Sequence, residues 1–115
     1  MFDFQKLIVY QKAKAFHQTC CQIPEDHPNI HRSKKDQLSR ASLSIALNIA
    51  EGTSRFTNAS KRNYFVIARG SVFECVAVLD MLKDQGVLEE KTFLEEYEKA
   101  DELSRMLFKM IRNLE

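Results

Sequence analysis

Apolar residues recur along most of the chain at spacings of three and four, the pattern of amphipathic helices. The most regular stretch predicts a helix over residues 59–85, begun by Asn58 or Ser60. Its apolar seam consists of Phe65, Ala68, Val72, Cys75, Leu79, Leu82 and Gly86. A second seam predicts a last helix over residues 91–114, with Thr92 and Glu95 as a capping box. That seam consists of Phe93, Tyr97, Ala100, Ser104, Leu107, Ile111 and Leu114.

Two further helices are predicted in the first half of the chain, over residues 4–22 and 34–51. Pro24 and Pro28 should end the first, since proline lacks the backbone donor that a helix interior needs. Three other residues mark the ends of the second: Ser33 with Asp36 approximates a capping box, and Gly52 suits a left-handed C-terminal cap.

The fold class predicted from these segments is all-α. No segment alternates between strand-forming residues, and no repeat or low-complexity tract is visible. Four helices with short links pack most economically as an up-down-up-down antiparallel four-helix bundle. At 115 residues the chain should form a single domain, residues 1–115.

The two middle helices carry more apolar residues than a bundle needs. Ten uncharged residues lie between Arg40 and Glu51, and a helix that is apolar nearly all round is buried nearly all round. Either the extra faces pack on the first and last helices, or another copy of the chain covers them. We favour the homo-oligomer, and its predicted interface consists of Leu43, Ala46, Leu47, Gly70, Phe73, Ala77 and Met81.

Several polar residues in these two helices are predicted to be structural. They are Arg40, Asn48, Glu51, Arg69 and Glu74. In a hairpin of the two helices Arg40 should lie within reach of Glu74, and a buried ion pair there would support one register. Asn48 and Glu51 should face Arg62 and Asn63, or cap the following turn.

Charge is unevenly distributed, although the net charge is only +1. Residues 1–73 hold 11 Lys and Arg against five Asp and Glu, whereas residues 74–115 hold six against 11. Two basic clusters are candidates for nucleic-acid binding: Arg32, Lys34 and Lys35, and Arg55, Lys61 and Arg62. Such binding would weaken steeply with salt. Solvated basic loops are the alternative.

Catalytic and metal chemistry find no support in the sequence. The chain has three cysteines, Cys20, Cys21 and Cys75, an odd number that includes two adjacent residues. Because this set is a poor disulfide framework, we expect reduced thiols and a cytoplasmic location. The spacing of Cys20, Cys21, His27 and His31 matches no familiar zinc site. His17 is the only histidine within a predicted helix, and no partner is evident for it. We therefore predict no enzyme, no cofactor and no membrane span.

The chain also resembles a known family. The segments that carry the resemblance are LIVYQKA (7–13), QLSRASLSIALNIAEGTSR (37–55), YFVIARGSVFE (64–74) and the last amphipathic helix. Together they are similar to the four-helix bundle proteins first noticed in open reading frames within intervening sequences of large-subunit ribosomal RNA genes. The resemblance implies up-down bundles that assemble as homopentameric rings, without enzymatic activity. Relatives include the accessory protein of diversity-generating retroelements, which partners a reverse transcriptase and nucleic acid.

Two functional hypotheses follow. The first is a non-enzymatic protein that forms a homo-oligomeric ring, a pentamer by the resemblance, and acts as a scaffold or accessory factor for a protein partner. The second is an accessory ring that binds RNA or DNA through its basic patches.

Overall fold

The computed structural model describes residues 1–115 and contains four α-helices and no strand. A single 3-10 turn, Asp3–Lys6, precedes the first helix. The helices are α1 (Ile8–Asp26), α2 (Arg32–Thr53), α3 (Asn58–Asp84) and α4 (Glu90–Arg112). None of them is long and apolar enough to cross a membrane.

Each helix packs beside the next one in sequence, and α1 closes the bundle against α4. Contacts between opposite helix ends show the antiparallel arrangement. Lys35, early in α2, pairs with Glu25, late in α1, at 2.9 Å. Arg62, early in α3, donates to the carbonyl of Leu114, just after α4, at 3.0 Å. The predicted four-helix bundle is therefore confirmed.

The first helix is displaced by four residues from its prediction. Leu7 is extended (φ −72°, ψ 129°), so it separates the 3-10 turn from α1. At the other end α1 continues through Pro24 to Asp26, so Pro24 does not end it, whereas Pro28 directly follows the C-cap residue His27. Only Glu25 and Asp26 follow Pro24 in α1, and its buried ring contributes to the core.

Two predicted capping boxes are wrong. At α2 the cap is His31, whose Nδ1 accepts from the Ser33 backbone N–H at 3.1 Å. At α4 the helix begins after Glu89, and the Thr92 hydroxyl donates to the Glu89 carboxylate at 3.2 Å. In both cases the helix starts earlier than the hydroxyl residue that the sequence offered as its cap.

The two glycines that were predicted to end helices differ in role. Gly86 has φ +76° and closes α3 as predicted, since this backbone conformation favours glycine. Gly52 instead lies inside α2, where a Cβ would stand 2.6 Å from Cε1 of Phe65. Its function is close approach of α2 and α3, which corrects the C-cap prediction.

The core runs the length of the bundle between the four helices. The predicted α3 seam is buried from Phe65 to Leu82. On α4 the buried stripe is rotated from the predicted one, so that Tyr97 is exposed and Glu96 is buried. The α4 stripe consists of Phe93, Glu96, Ala100, Leu103 and Leu107. The Glu96 carboxylate meets the Lys99 ammonium at 3.1 Å.

Candidate self-association surface

Apolar side chains are exposed on the outward sides of both α2 and α3, away from the core. On α2, Leu43 and Leu47 expose 41% and 56% of their surface, and on α3, Phe73 and Met81 expose 57% and 55%. Helical geometry explains this position. These residues lie about half a turn from the buried seams, so packing among the four helices of one protomer cannot cover them.

Small residues lie on the same outward side of α3. Gly70 and Ala77 are exposed, and no atom stands within 4 Å of the position that a Cβ on Gly70 would take. Ala46, in contrast, is buried inside the protomer. It lies one turn from Ser42 on the inner side of α2, so its prediction as an interface residue is wrong. We call the six remaining predicted interface residues, Leu43, Leu47, Gly70, Phe73, Ala77 and Met81, the outer strip.

The predicted ion pair between Arg40 and Glu74 is not formed within the protomer. Glu74 accepts a hydrogen bond from the side chain of Gln37, which lies one turn earlier on α2. Arg40 is exposed on the outward side, in line with Leu43 and Leu47, and has no ion-pair partner within the protomer. The helix rotation that turns Gln37 towards α3 turns Arg40 away from it.

The other polar residues predicted to be structural do bond within the protomer. Asn48 donates to the Ser44 carbonyl at 2.8 Å and makes no hydrogen bond to Arg62 or Asn63. Glu51 pairs with Arg55 one turn later. Both contacts therefore stay within α2 and the turn that follows it.

Arg69 links α3 to α4. Its Nε donates to the Ser104 carbonyl at 3.3 Å, and its guanidinium lies 4.9 Å from the ring centre of Phe73. On its other side the Phe108 ring centre is 5.4 Å away. Cation–π contacts of this kind hold exposed aromatic rings in place, so Phe73 is positioned at the edge of the outer strip.

Beside Phe73 a groove of about 310 Å³ runs between α3 and α4. Val72, Val76 and Ala100 contribute apolar surface to it, together with Ala77 of the outer strip. Asp80 and Asp101 also line it. We call this feature the α3–α4 groove.

The first predicted nucleic-acid cluster is largely neutralised by neighbouring acids. Arg32 lies 3.8 Å from the Asp36 carboxylate and Lys35 lies 2.9 Å from Glu25. Lys34 is half-buried and makes no ion pair. These residues lie at the end of the bundle where most of the acidic residues are.

The second predicted cluster is occupied with structural contacts. Arg55 bonds Glu51 and donates to the Tyr64 hydroxyl at 2.6 Å. Lys61 donates to the Thr53 carbonyl at 3.2 Å, and Arg62 bonds the Leu114 carbonyl. Carbonyls at helix C-termini lack helical partners, so Lys61 and Arg62 serve as C-terminal caps for α2 and α4.

The fold redistributes charge between the two ends of the bundle. One half, residues 1–15, 45–70 and 105–115, holds ten Lys and Arg against three Asp and Glu. The other half, residues 16–44 and 71–104, holds seven against 13. We call them the basic half and the acidic half. Arg55, Lys61 and Arg62 lie in the basic half, whereas Arg32, Lys34 and Lys35 lie in the acidic half.

Reactive side chains are dispersed or bound to neighbours. His17 has a partner that the sequence did not reveal, the Ser42 hydroxyl at 2.8 Å from Nδ1, with the Cys21 sulfur 3.7 Å from Nε2. Cys20 and Cys75 lie in the core, where a hydrogen bond with Cys75 and then burial raise the pKa of the Cys20 thiol. No three His, Cys, Asp or Glu side chains are grouped so that they could hold a metal ion.

The fold and surface define a class of small all-α bundle protein whose most prominent feature is an exposed apolar strip. The chain belongs to the family described as 23S rRNA-intervening sequence protein, whose model matches residues 5–109. The resemblance seen in the sequence is therefore confirmed.

A solved structure shows the same fold. It is a protein with unknown function from the S23 ribosomal protein family of Bacteroides thetaiotaomicron VPI-5482. The TM-score is 0.83 at 19% identity, and the alignment covers 90% of this chain and 98% of that one. Among curated proteins no match to the sequence was found.

Proposed function

We propose that this protein is a non-enzymatic bundle that self-assembles through the outer strip and serves as a scaffold or accessory factor. The observation that carries the proposal is the exposure of Leu43, Leu47, Phe73 and Met81 on the outward sides of α2 and α3. Isolated exposed apolar residues are ordinary, but several on two neighbouring helices mark an interaction site.

The proposed assembly is a closed homo-oligomeric ring, with five copies as the family resemblance implies. Small residues at Gly70 and Ala77 support close approach of helices there. The three free thiols support a cytoplasmic location. The proposal that the protein is not an enzyme is supported by the polar residues described above, His17 included, because their side chains are engaged in structural contacts.

Light scattering coupled to size-exclusion chromatography tests the assembly. A protomer is 13.4 kDa, so a pentamer would have a mass of about 67 kDa. Leu47→Glu should lower the mass towards that of the protomer, because it places a charge inside the proposed interface. Gln18→Glu is the matched control, since Gln18 is exposed on α1. A wild-type protein that stays monomeric at micromolar concentration would overturn the proposal.

A second candidate function is nucleic-acid binding through the basic half. The observation that favours it is the excess of ten cationic over three anionic side chains there. This candidate moves the site away from Arg32, Lys34 and Lys35 and towards exposed residues such as Lys109.

Titration of fluorescent structured RNA and DNA at two salt concentrations tests this candidate. Lys109→Glu should weaken binding, whereas Lys91→Glu should weaken it less. Both lysines are exposed on α4 without ion pairs, but only Lys109 lies in the basic half. Binding that ignores salt, or equal effects of the two variants, would count against it.

A further inference from the structure

We infer that two different surfaces of the protomer meet in the assembly. An outward ridge of α2, formed by Arg40, Leu43 and Leu47, packs into the α3–α4 groove of a second copy. This inference rests on the proposed self-assembly and names the complementary surface that the outer strip contacts. It assigns roles to four of the six residues of the outer strip: Leu43 and Leu47 of α2 insert, and Phe73 and Ala77 of α3 receive.

The ridge has the shape and chemistry of an inserted helix face. Its three residues are spaced by three and four, so they lie in one row along α2. Leu43 and Leu47 are about half exposed, and Arg40 beside them has no ionic partner within the protomer. A surface that covers this ridge would therefore be complementary if it were apolar and carried an acid opposite Arg40.

The α3–α4 groove meets both requirements. Its surface is mostly apolar, and it carries two carboxylates, Asp80 and Asp101. Within the protomer these acids have only intrahelical partners. Asp80 lies 3.6 Å from Lys83, and Asp101 pairs with the largely exposed Arg105. Exposed pairs of this kind contribute little, so either carboxylate can exchange its partner for Arg40.

The two surfaces overlap in height along the bundle: Arg40 is level with the groove, and Leu43 and Leu47 follow at and just beyond its Ser104 end. Gln37 bonds Glu74 and Ser44 bonds Ser71, so Arg40 is level with the part of α3 between those residues. Arg69 bonds Ser104, which places Asp101 at nearly the same height. Copies related by rotation about an axis along the bundles face each other at equal heights. Arg40 of one copy then faces Asp101 of the next.

The contact is heterologous because ridge and groove are different surfaces. Heterologous contacts produce rings when the rotation closes and filaments when it does not. The ridge lies on α2 and the groove lies between α3 and α4, so they are not on opposite sides of the bundle. Each added copy therefore turns in the same sense, so the copies can close into a ring.

A mixing experiment distinguishes this arrangement from a single self-complementary face. Leu47→Glu disables the ridge, and Ala77→Arg disables the groove, because it fills the apolar surface and places a cation opposite Arg40. Each variant alone should be a monomer of 13.4 kDa. An equimolar mixture should give a heterodimer of about 27 kDa, since each partner retains the surface that the other lacks. Circular dichroism of both variants checks that the helices remain.

The outcomes separate the two proposals. An assembled wild type with a mixture that stays monomeric would overturn the ridge-in-groove contact and leave self-assembly standing. Variants that still assemble by themselves would overturn it too. A monomeric wild type would overturn both.

A charge exchange tests the individual pair in full-length protein. Arg40→Asp and Asp101→Arg should each raise the dissociation constant of the assembly at least about tenfold, and the double variant should return to within about threefold of wild type. Arg40→Asp combined with Asp84→Arg is the matched control, since Asp84 is an exposed acid of α3 without an ion pair and outside the groove. Rescue by the control, or no rescue by the exchange, would contradict the Arg40–Asp101 contact.

Discussion

The inner and outer sides of α3 are built from similar apolar residues but have different neighbours. Leu79 on the inner side is completely buried, whereas Met81, two residues later, is more than half exposed. The buried inner residues hold α3 in the bundle by packing against the other helices. The outer strip has no such role within one protomer, and this difference is why we interpret it as a contact between copies.

The largest expected effect is on the inner side. Leu79→Ala should lower the free energy of unfolding by about 3 kcal/mol, because it removes buried apolar contacts and leaves a cavity. Urea denaturation at low protein concentration measures it. Met81→Ala should change that value by less than about 1 kcal/mol and should act on the association state instead. Equal losses of stability in the two variants would remove the distinction between the two sides.

The two glycines inside helices, Gly52 and Gly70, also differ in their surroundings. Gly52→Ala should lower the free energy of unfolding by about 2 kcal/mol, since its new Cβ would stand 2.6 Å from Cε1 of Phe65. Thermal denaturation measures the change. When Gly52→Ala is combined with Phe65→Leu, the loss of unfolding free energy should be smaller than the sum of the two single losses, because the smaller leucine relieves the clash. Strictly additive losses would show that the clash is not the cause.

Gly70 should behave in the opposite way. Its outward position has no neighbouring atom within 4 Å, so Gly70→Ala should stabilise the protomer by about 0.5 to 1 kcal/mol through helix propensity. Under the proposed assembly the same change should weaken association, which sedimentation at several concentrations would detect. A protomer made less stable by alanine would indicate an unrecognised close contact.

The smallest effect is expected on the polar surface between α1 and α4. Lys12 and Glu102 form an exposed ion pair at 2.9 Å. Lys12→Ala should change the free energy of unfolding by no more than about 0.5 kcal/mol, because solvent screens such pairs. Chemical denaturation at low and high salt checks this, and a loss above 1 kcal/mol would mean that the pair holds the α1–α4 contact.

The sequence predicted the helices and the α3 seam well because both follow from one local period. It failed where the answer depended on another helix. Gly52 has the residue type of a C-cap, and only the approach of Phe65 shows its actual role. Glu96 is an acid within an exposed run of acids, and only the rotation of α4 against Cys20 and Cys75 buries it.

The candidate surface was predicted in part for the same reason. Leu43 and Phe73 could be assigned to an outer side from helical spacing alone. The Arg40–Glu74 pair could not be judged from spacing, because Gln37 competes for the same carboxylate and differs from Arg40 by a single turn. The α3–α4 groove was missed, since it arises from two seams that lie about 25 residues apart in sequence.

The segregation of charge between the basic half and the acidic half has a consequence for a cyclic assembly whose symmetry axis runs along the bundles. Rotational symmetry about one axis points every copy in the same direction, so the individual dipoles add. The ring would be an electrically polar disc, cationic on one rim and anionic on the other. Such a disc would dock on a polyanionic surface through its cationic rim, so its anionic rim would always face away from that surface.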